Sequence, residues 1–123
     1  MKNKIIKTSV LFLALFSLLA CEKSNEYKTV TYQITNSPSG FYVNYLNENA
    51  VITKDTIVTA SATDIWTYSF KALPRDIAFV SAIYKDSASA IMVRILVDGK
   101  VFRQGASKND TAMYVTVSGT IPE

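Results

Sequence analysis

Residues 91–100 read IMVRILVDGK, and this stretch decides the fold class. Every second position from Ile91 to Val97 is apolar, which is the period of a strand with one buried face. Asp98-Gly99 follows at once. Because a type I′ turn needs positive φ at both central residues, Asp-Gly after an apolar run predicts a β-hairpin. The segment therefore predicts an antiparallel sheet.

The period of two continues through the chain from Tyr27 onward. Turn residues, as in Ser37-Pro38-Ser39-Gly40, separate the apolar runs at intervals typical of a sandwich. The run at 77–84 is apolar on both faces apart from Ser81, so its strand is expected to lie mid-sheet. The chain is therefore predicted to be all-β, an antiparallel Ig-like β-sandwich of seven to eight strands. The strands are expected at 29–35, 41–46, 56–60, 66–72, 77–84, 91–97, 100–103 and 113–117.

The first twenty residues have a different character. Three lysines precede an apolar run at 10–20, which ends in Leu19-Ala20-Cys21. A basic segment, a short apolar segment and a small residue at the cut site are typical of a secretory signal peptide. The run is also short for a spanning helix, which needs about 20 apolar residues. An ordinary signal peptide and an uncleaved anchor both remain as alternatives.

Cysteine directly after the small residue resembles the lipobox of bacterial lipoproteins. The resemblance implies cleavage before Cys21, with lipid on its sulfur and an acyl chain on its new amine, which together hold a protein firmly to a membrane. The membrane, reached through the lipid on Cys21, is therefore one expected partner. The division of the chain is then a lipoprotein signal peptide (1–20), a lipidated tether (21–27) and a β-sandwich domain (28–123).

Cleavage changes the charge of the protein. The whole chain has 13 Lys+Arg against 10 Asp+Glu, and removal of Lys2, Lys4 and Lys7 leaves ten of each. No basic cluster remains to attract a polyanion, so no nucleic-acid partner is expected. The tether also lacks the long acidic run that directs some lipoproteins to the cell surface. We expect a lipid-anchored protein of the cell envelope, at the outer membrane and facing the periplasm.

Catalytic chemistry has few candidates in this sequence. The chain has no histidine, and its one cysteine is the residue consumed by lipid. The commonest general base and both the Ser-His and Cys-His nucleophile pairs are therefore missing. No catalytic residue, cofactor or metal site is expected. One alternative stays open, an enzyme in which two scattered carboxylates meet in space, as in glycosidases.

Exposed aromatic residues are the candidates for ligand binding. Tyr42, Tyr84 and Tyr114 have the parity opposite to the expected core residues of their strands, so they are predicted on an outer face. If they gather there, they form an aromatic binding patch; the alternative is isolated surface tyrosines. Residues 66–70 place Trp66, Tyr68 and Phe70 on one strand face, where core packing is favoured over a ligand platform.

A short pattern recurs three times: Asp, then Ser or Thr, then a small or aliphatic residue. It resembles the O-glycosylation signal that some Gram-negative bacteria use on exported proteins, and it makes Thr56, Ser87 and Thr111 candidate sites. All three lie at predicted turns, where a glycan would be tolerated. The alternative is a turn aspartate followed by a hydroxyl residue that begins a strand.

Three segments carry a resemblance to a known family: TYQIT at 31–35, VNYL at 43–46 and VRILVDGKV at 93–101. In their order they resemble the small lipoprotein relatives of the MmpS-like transport accessory proteins. The resemblance implies a small Ig-like sandwich behind a membrane anchor, in a family whose members accompany RND-type exporters of lipids. It favours a non-enzymatic module that binds or assists another envelope component, such as an envelope protein of a transport complex. The alternative is a glycan- or lipid-binding lipoprotein that uses its exposed aromatic residues.

Lipidation is directly testable in the native host. We expect radiolabelled palmitate to enter the full-length chain, and Cys21→Ala to abolish the incorporation because it removes the sulfur that carries lipid. Ser24→Ala, which changes the tether and keeps the cysteine, is the matched control and should label normally. Equal labelling of the Cys21→Ala chain would contradict the anchor.

Overall fold

Eight antiparallel strands form two four-stranded sheets packed as a β-sandwich, which confirms the predicted fold class. This computed structural model describes residues 26–85, 90–107 and 114–123, so Cys21, Ser87 and Thr111 lie outside it. The first sheet has the order β4-β1-β6-β7 and the second the order β3-β2-β5-β8. The strands are β1 (Lys28–Thr35), β2 (Phe41–Leu46), β3 (Ile52–Ile57), β4 (Trp66–Ala72), β5 (Ile77–Tyr84), β6 (Met92–Val97), β7 (Lys100–Ala106) and β8 (Tyr114–Thr120).

The hairpin predicted from residues 91–100 is present. Asp98 and Gly99 have φ values of 50° and 80°, the left-handed pair that a type I′ turn requires. Asp98 also ties the hairpin to β1, because its amide donates to the Thr29 carbonyl and its carboxylate accepts from the Thr29 amide at 2.9 Å. β5 lies between β2 and β8, as its two apolar faces predicted.

The third strand was predicted at 56–60 and is observed at Ile52–Ile57, so that prediction is wrong. The chain reverses immediately after β2, because the Asn47 side chain accepts hydrogen bonds from the amides of Asn49 and Val51. Ala50 adopts a positive φ of 57° in the same turn. This tight turn starts β3 early and places Asp55 inside an edge strand, where a turn had been expected.

The two sheets approach closely along one side, where β7 runs past β8. β7 extends to Ala106, beyond its predicted end, and a bulge after Ile95 gives it an extra residue at Phe102. A Cβ at Gly119 would lie 2.7 Å from the Phe102 ring, and one at Gly105 would lie 3.1 Å from Val117. Two glycines therefore permit this contact between the edges.

One side chain of the first sheet completes the hydrogen bonding of the second. The fully buried Tyr32 hydroxyl donates to the Leu46 carbonyl at 2.7 Å and accepts from the Phe79 amide at 3.2 Å. The β2–β5 ladder runs only as far as Tyr45 and Val80, so the phenol bridges the next pair of backbone groups. Burial raises the pKa of Tyr32 to about 12.

Removal of this hydroxyl tests its role in stability. Tyr32→Phe leaves a buried amide and a buried carbonyl without their partner, so we expect the free energy of unfolding to fall by about 1–3 kcal/mol. Tyr45→Phe is the matched control, because Tyr45 is nearly as buried and its hydroxyl makes no hydrogen bond to the described residues. Urea denaturation measures both, and equal effects of the two changes would contradict the bridge.

Candidate functional site

The outer face of the first sheet is mainly polar, and several of its polar side chains bond to one another. Its large apolar residues are the exposed Val101 and the half-buried Met92 and Leu96. Arg94 donates to Gln33 at 3.3 Å and to Gln104 at 3.4 Å, across three neighbouring strands. The hydroxyls of Thr31 and Ser69 are 2.9 Å apart on another row of the same face. Polar groups that satisfy one another at the surface of a sheet leave little for a ligand to gain. We therefore interpret this face as a solvated surface and not as a binding surface.

The outer face of the second sheet exposes more large apolar side chains than that of the first. Large apolar side chains from all four strands lie on it and are exposed to solvent. Exposed apolar residues are ordinary when scattered, and they indicate a binding surface when they cluster on one face. These residues are Tyr42, Ile83 and Tyr114 at one end of the face and Ile52 and Ile77 at the other. A polar row of Asn44, Ser81 and Thr116 lies between the two groups.

The cause of this apolar face is the orientation of β5. Its even-numbered residues, including Ala78 and Ala82, point into the core and are fully buried. The small alanines are accommodated because large side chains from the first sheet, such as Tyr32 and Ile95, occupy the space between the sheets. The bulkier Ile77 and Ile83 therefore face solvent.

The same orientation corrects one predicted site residue. Tyr84 was expected on the outer face and is 6% exposed, within the core cluster. The expectation implied that the odd-numbered residues of β5 face the core. In the structure the even-numbered residues face the core. Tyr84 is therefore no candidate for ligand binding.

The other two predicted tyrosines do come together. Tyr42 pairs with Ile83 across β2 and β5, and Ile83 pairs with Tyr114 across β5 and β8. We call these three residues the tyrosine row; they are 48%, 40% and 58% exposed, in the same order. Two strand spacings separate the tyrosines, a distance of about 10 Å. The Lys85 ammonium lies 5.1 Å from the centre of the Tyr42 ring.

A shallow groove of about 360 Å³ adjoins the tyrosine row at Tyr42. Its apolar part is the Tyr42 ring and the Ile83 side chain, and its polar part comes from β2 and the edge strand β3. The candidate glycosylation residue Thr56 lies here, exposed and opposite Tyr42, within a strand and not at the predicted turn. The lining residues are Tyr42, Asn44, Lys54, Asp55, Thr56 and Ile83.

The inner aromatic residues of β4 contribute to packing, as predicted. Trp66, Tyr68 and Phe70 are half-buried and pack against the core cluster. The Tyr68 ring lies 4.5 Å from that of Tyr45, between their centres. Its hydroxyl donates to the Glu48 carboxylate. This hydrogen bond lowers the pKa of Glu48 and raises that of Tyr68 to about 12.

Two acidic residues near these aromatic side chains, Glu48 and Asp76, form hydrogen bonds that do not suit a general acid. Glu48 and Asp76 both line an open groove of about 530 Å³. A glycosidase acid needs a raised pKa, and the pKa of Glu48 is lowered by Tyr68. Asp76 accepts a hydrogen bond from the Leu73 amide, as turn aspartates commonly do.

Residues 26–85, 90–107 and 114–123 contain neither a cluster of metal-binding side chains nor a membrane-spanning helix. No group of three or more acidic, histidine or cysteine side chains there is placed to hold a metal ion. No helix in the same ranges is long and apolar enough to cross a membrane. The candidate site is therefore the outer face of the second sheet, with the tyrosine row and its groove.

The pairing of Tyr68 with Glu48 predicts a pH response. Glu48→Gln removes the anionic acceptor, so we expect the pKa of Tyr68 to fall from about 12 towards 10.0. The pKa of Tyr32, which burial raises to about 12, should stay unchanged and serves as the internal control. Carbon-13 NMR of the tyrosine rings measures both, and an unmoved Tyr68 pKa would contradict the assigned cause.

The sign of the stability effect follows from the same shifts. Unfolded tyrosines release their protons from about pH 10, whereas folded Tyr32 and Tyr68 keep theirs until about pH 12. The unfolded state therefore binds fewer protons in this window, and the free energy of unfolding should fall as the pH rises through it. Glu48→Gln should make that fall smaller.

Comparison with known proteins adds no relative. No protein-family model matches the chain. A search among curated proteins finds no match either. The resemblance to the MmpS-like accessory proteins stays a prediction, and the geometry of the second sheet is the basis on which a function can be proposed.

Proposed function

We propose that this chain is a non-enzymatic lipoprotein of the cell envelope that binds another envelope component through the outer face of its second sheet. The observation that supports the proposal is the contrast between the two outer faces. The outer face of the first sheet is mainly polar and exposes one large apolar residue, Val101, whereas the outer face of the second sheet exposes five. Such a surface is stabilised when a partner removes it from water.

The size of this face fits a modest binding role. Four strands and a length of about six residues give roughly 400 Å², from strand spacings of about 4.8 Å and a rise of about 3.3 Å. Apolar side chains cover part of this area, and polar ones such as Asn44, Ser81 and Thr116 cover the rest. Contact over such an area favours a reversible interaction, as suits an accessory or binding module.

The direction of the strands puts the tyrosine row at the end of the sandwich opposite to Lys28, where the first strand begins. β1 begins at Lys28, beside the ends of β4 and β6, and runs to the far end of the sandwich. β2 starts from that far end, so Tyr42 near its start lies there too, with its partners Ile83 and Tyr114. In a protein anchored through Cys21, the tyrosine row would thus point away from the lipid and towards other envelope material.

The resemblance to the MmpS-like proteins supports one form of this proposal. In that form the bound component is a protein of an export complex, and the chain is an accessory that holds or orients it. The resemblance lies in strand and hairpin motifs, which specify fold more closely than activity. A protein adduct at the second sheet would support this form.

Site-directed photo-crosslinking in the native envelope tests the proposal. A benzophenone amino acid replaces Thr116 on the outer face of the second sheet, and Ser69 on the outer face of the first as the matched control. Both positions are exposed hydroxyl residues on edge strands of their sheets. We expect adducts from position 116 and few or none from position 69.

Equal adducts from both positions would show contact without a preferred face. No adduct from either position, with the protein recovered alone from detergent-solubilised membranes, would contradict the proposed binding role. Adducts confined to position 69 would move the binding surface to the first sheet.

A further inference from the structure

We infer that the component bound by the second sheet is a saccharide chain without strong charge, which lies along the tyrosine row with one sugar ring in the groove beside Tyr42. The inference rests on the proposed function and names the chemical class of its ligand. It is carried by the combination, within one small area, of flat apolar surface and hydrogen-bonding side chains.

The apolar part of the site matches the faces of sugar rings. Carbohydrate rings present C–H groups on their faces, which pack against aromatic rings and aliphatic side chains. Tyr42 and Tyr114 provide two such contacts, with Ile83 between them. Their separation of about 10 Å suits two sugar rings of one chain.

The polar part of the groove matches sugar hydroxyls. Asn44 offers an amide that both donates and accepts, and Thr56 offers a hydroxyl that does the same. Lys54, which pairs with Asn44 on the same face, adds donors. These groups border the apolar surface formed by Tyr42 and Ile83. A sugar ring that packs on Tyr42 can therefore form hydrogen bonds to them through its hydroxyls. Ligand sites commonly combine an apolar lining with a few polar groups in this way.

Charge distinguishes the ligand from an anionic polymer. Two lysines, Lys54 and Lys85, stand near the tyrosine row, while the Asp55 side chain lies on the other face of β3, opposite Val43. Two lysines are too few to concentrate a polyanion, which needs a basic stripe or cluster. None of the residues that line the groove is an arginine, the side chain best suited to hold phosphate or carboxylate in two-point contact.

Two other occupants fit the site less well. A second copy packed face to face would bury on the order of 800 Å², below the 1,200–2,000 Å² of stable protein interfaces. A bilayer surface would meet the anchor-proximal end of the sandwich first, and the tyrosine row lies at the other end. A saccharide chain can bind along the tyrosine row without a large buried area and without contact with a bilayer.

A glycan array tests the inference with the full-length lipidated protein in detergent. The array carries β-glucans, chito-oligosaccharides, mannans and galactans, together with purified peptidoglycan fragments. We expect binding to at least one of these classes. Tyr42→Ser and Tyr114→Ser should each weaken it at least about tenfold, because each removes a stacking surface. Tyr27→Ser is the matched control, since Tyr27 is 67% exposed and lies outside the strands, and it should bind normally.

Each remaining outcome has a definite reading. No binding to any glycan, with protein adducts still formed from position 116, would overturn the saccharide ligand and leave the proposed function standing. Glycan binding unchanged by Tyr42→Ser and Tyr114→Ser would also overturn it. So would binding to phosphatidylethanolamine–phosphatidylglycerol vesicles, or dimer formation in sedimentation, that depends on these tyrosines. Thermal unfolding of each variant shows whether it is folded.

Discussion

The bridge from Tyr32 holds the two sheets in one register, and the candidate surface depends on that register. The phenol reaches from β1 to the Leu46 carbonyl and the Phe79 amide, where the β2–β5 ladder stops. A hydroxyl in this position reinforces the register of β5, because it bonds backbone groups at one defined point between the strands. Inward alanines follow from that register, and outward isoleucines follow with them.

Much of the fold was predictable from the sequence, since strand periods and turn chemistry are local. The alternation in β1, β2 and β6 gave the correct buried residues, and Asp98-Gly99 gave the correct turn. β3 was misplaced because its six residues lack an apolar alternation, as expected of an edge strand with both faces largely exposed. Its position depends on a turn built by one asparagine side chain.

The candidate site was only partly predictable, for a physical reason. Tyr42 and Tyr114 were recognised by parity, because the opposite parity in their strands is plainly apolar. In β5 both parities are apolar, so period alone cannot distinguish the core face from the outer face. Because of this ambiguity, Ile83 was not recognised as exposed and Tyr84 was assigned to the wrong face. The alignment of the two remaining tyrosines in one row was not predicted either. The pairing of three distant segments supplies this information, and no local pattern contains it.

The charged edge of β3 has a consequence for crowding. Lys54 and Asp55 occupy the middle of a strand whose outer backbone groups have no neighbouring strand in the described part of the chain. Proteins confined to a membrane surface share a thin layer, where their effective concentration is high and strand edges meet often. Unpaired edge strands could then pair between neighbouring molecules and form extended intermolecular sheets. Charges that must lose their hydration for such pairing oppose it, and in the proposed anchored form they would keep neighbouring copies from polymerising.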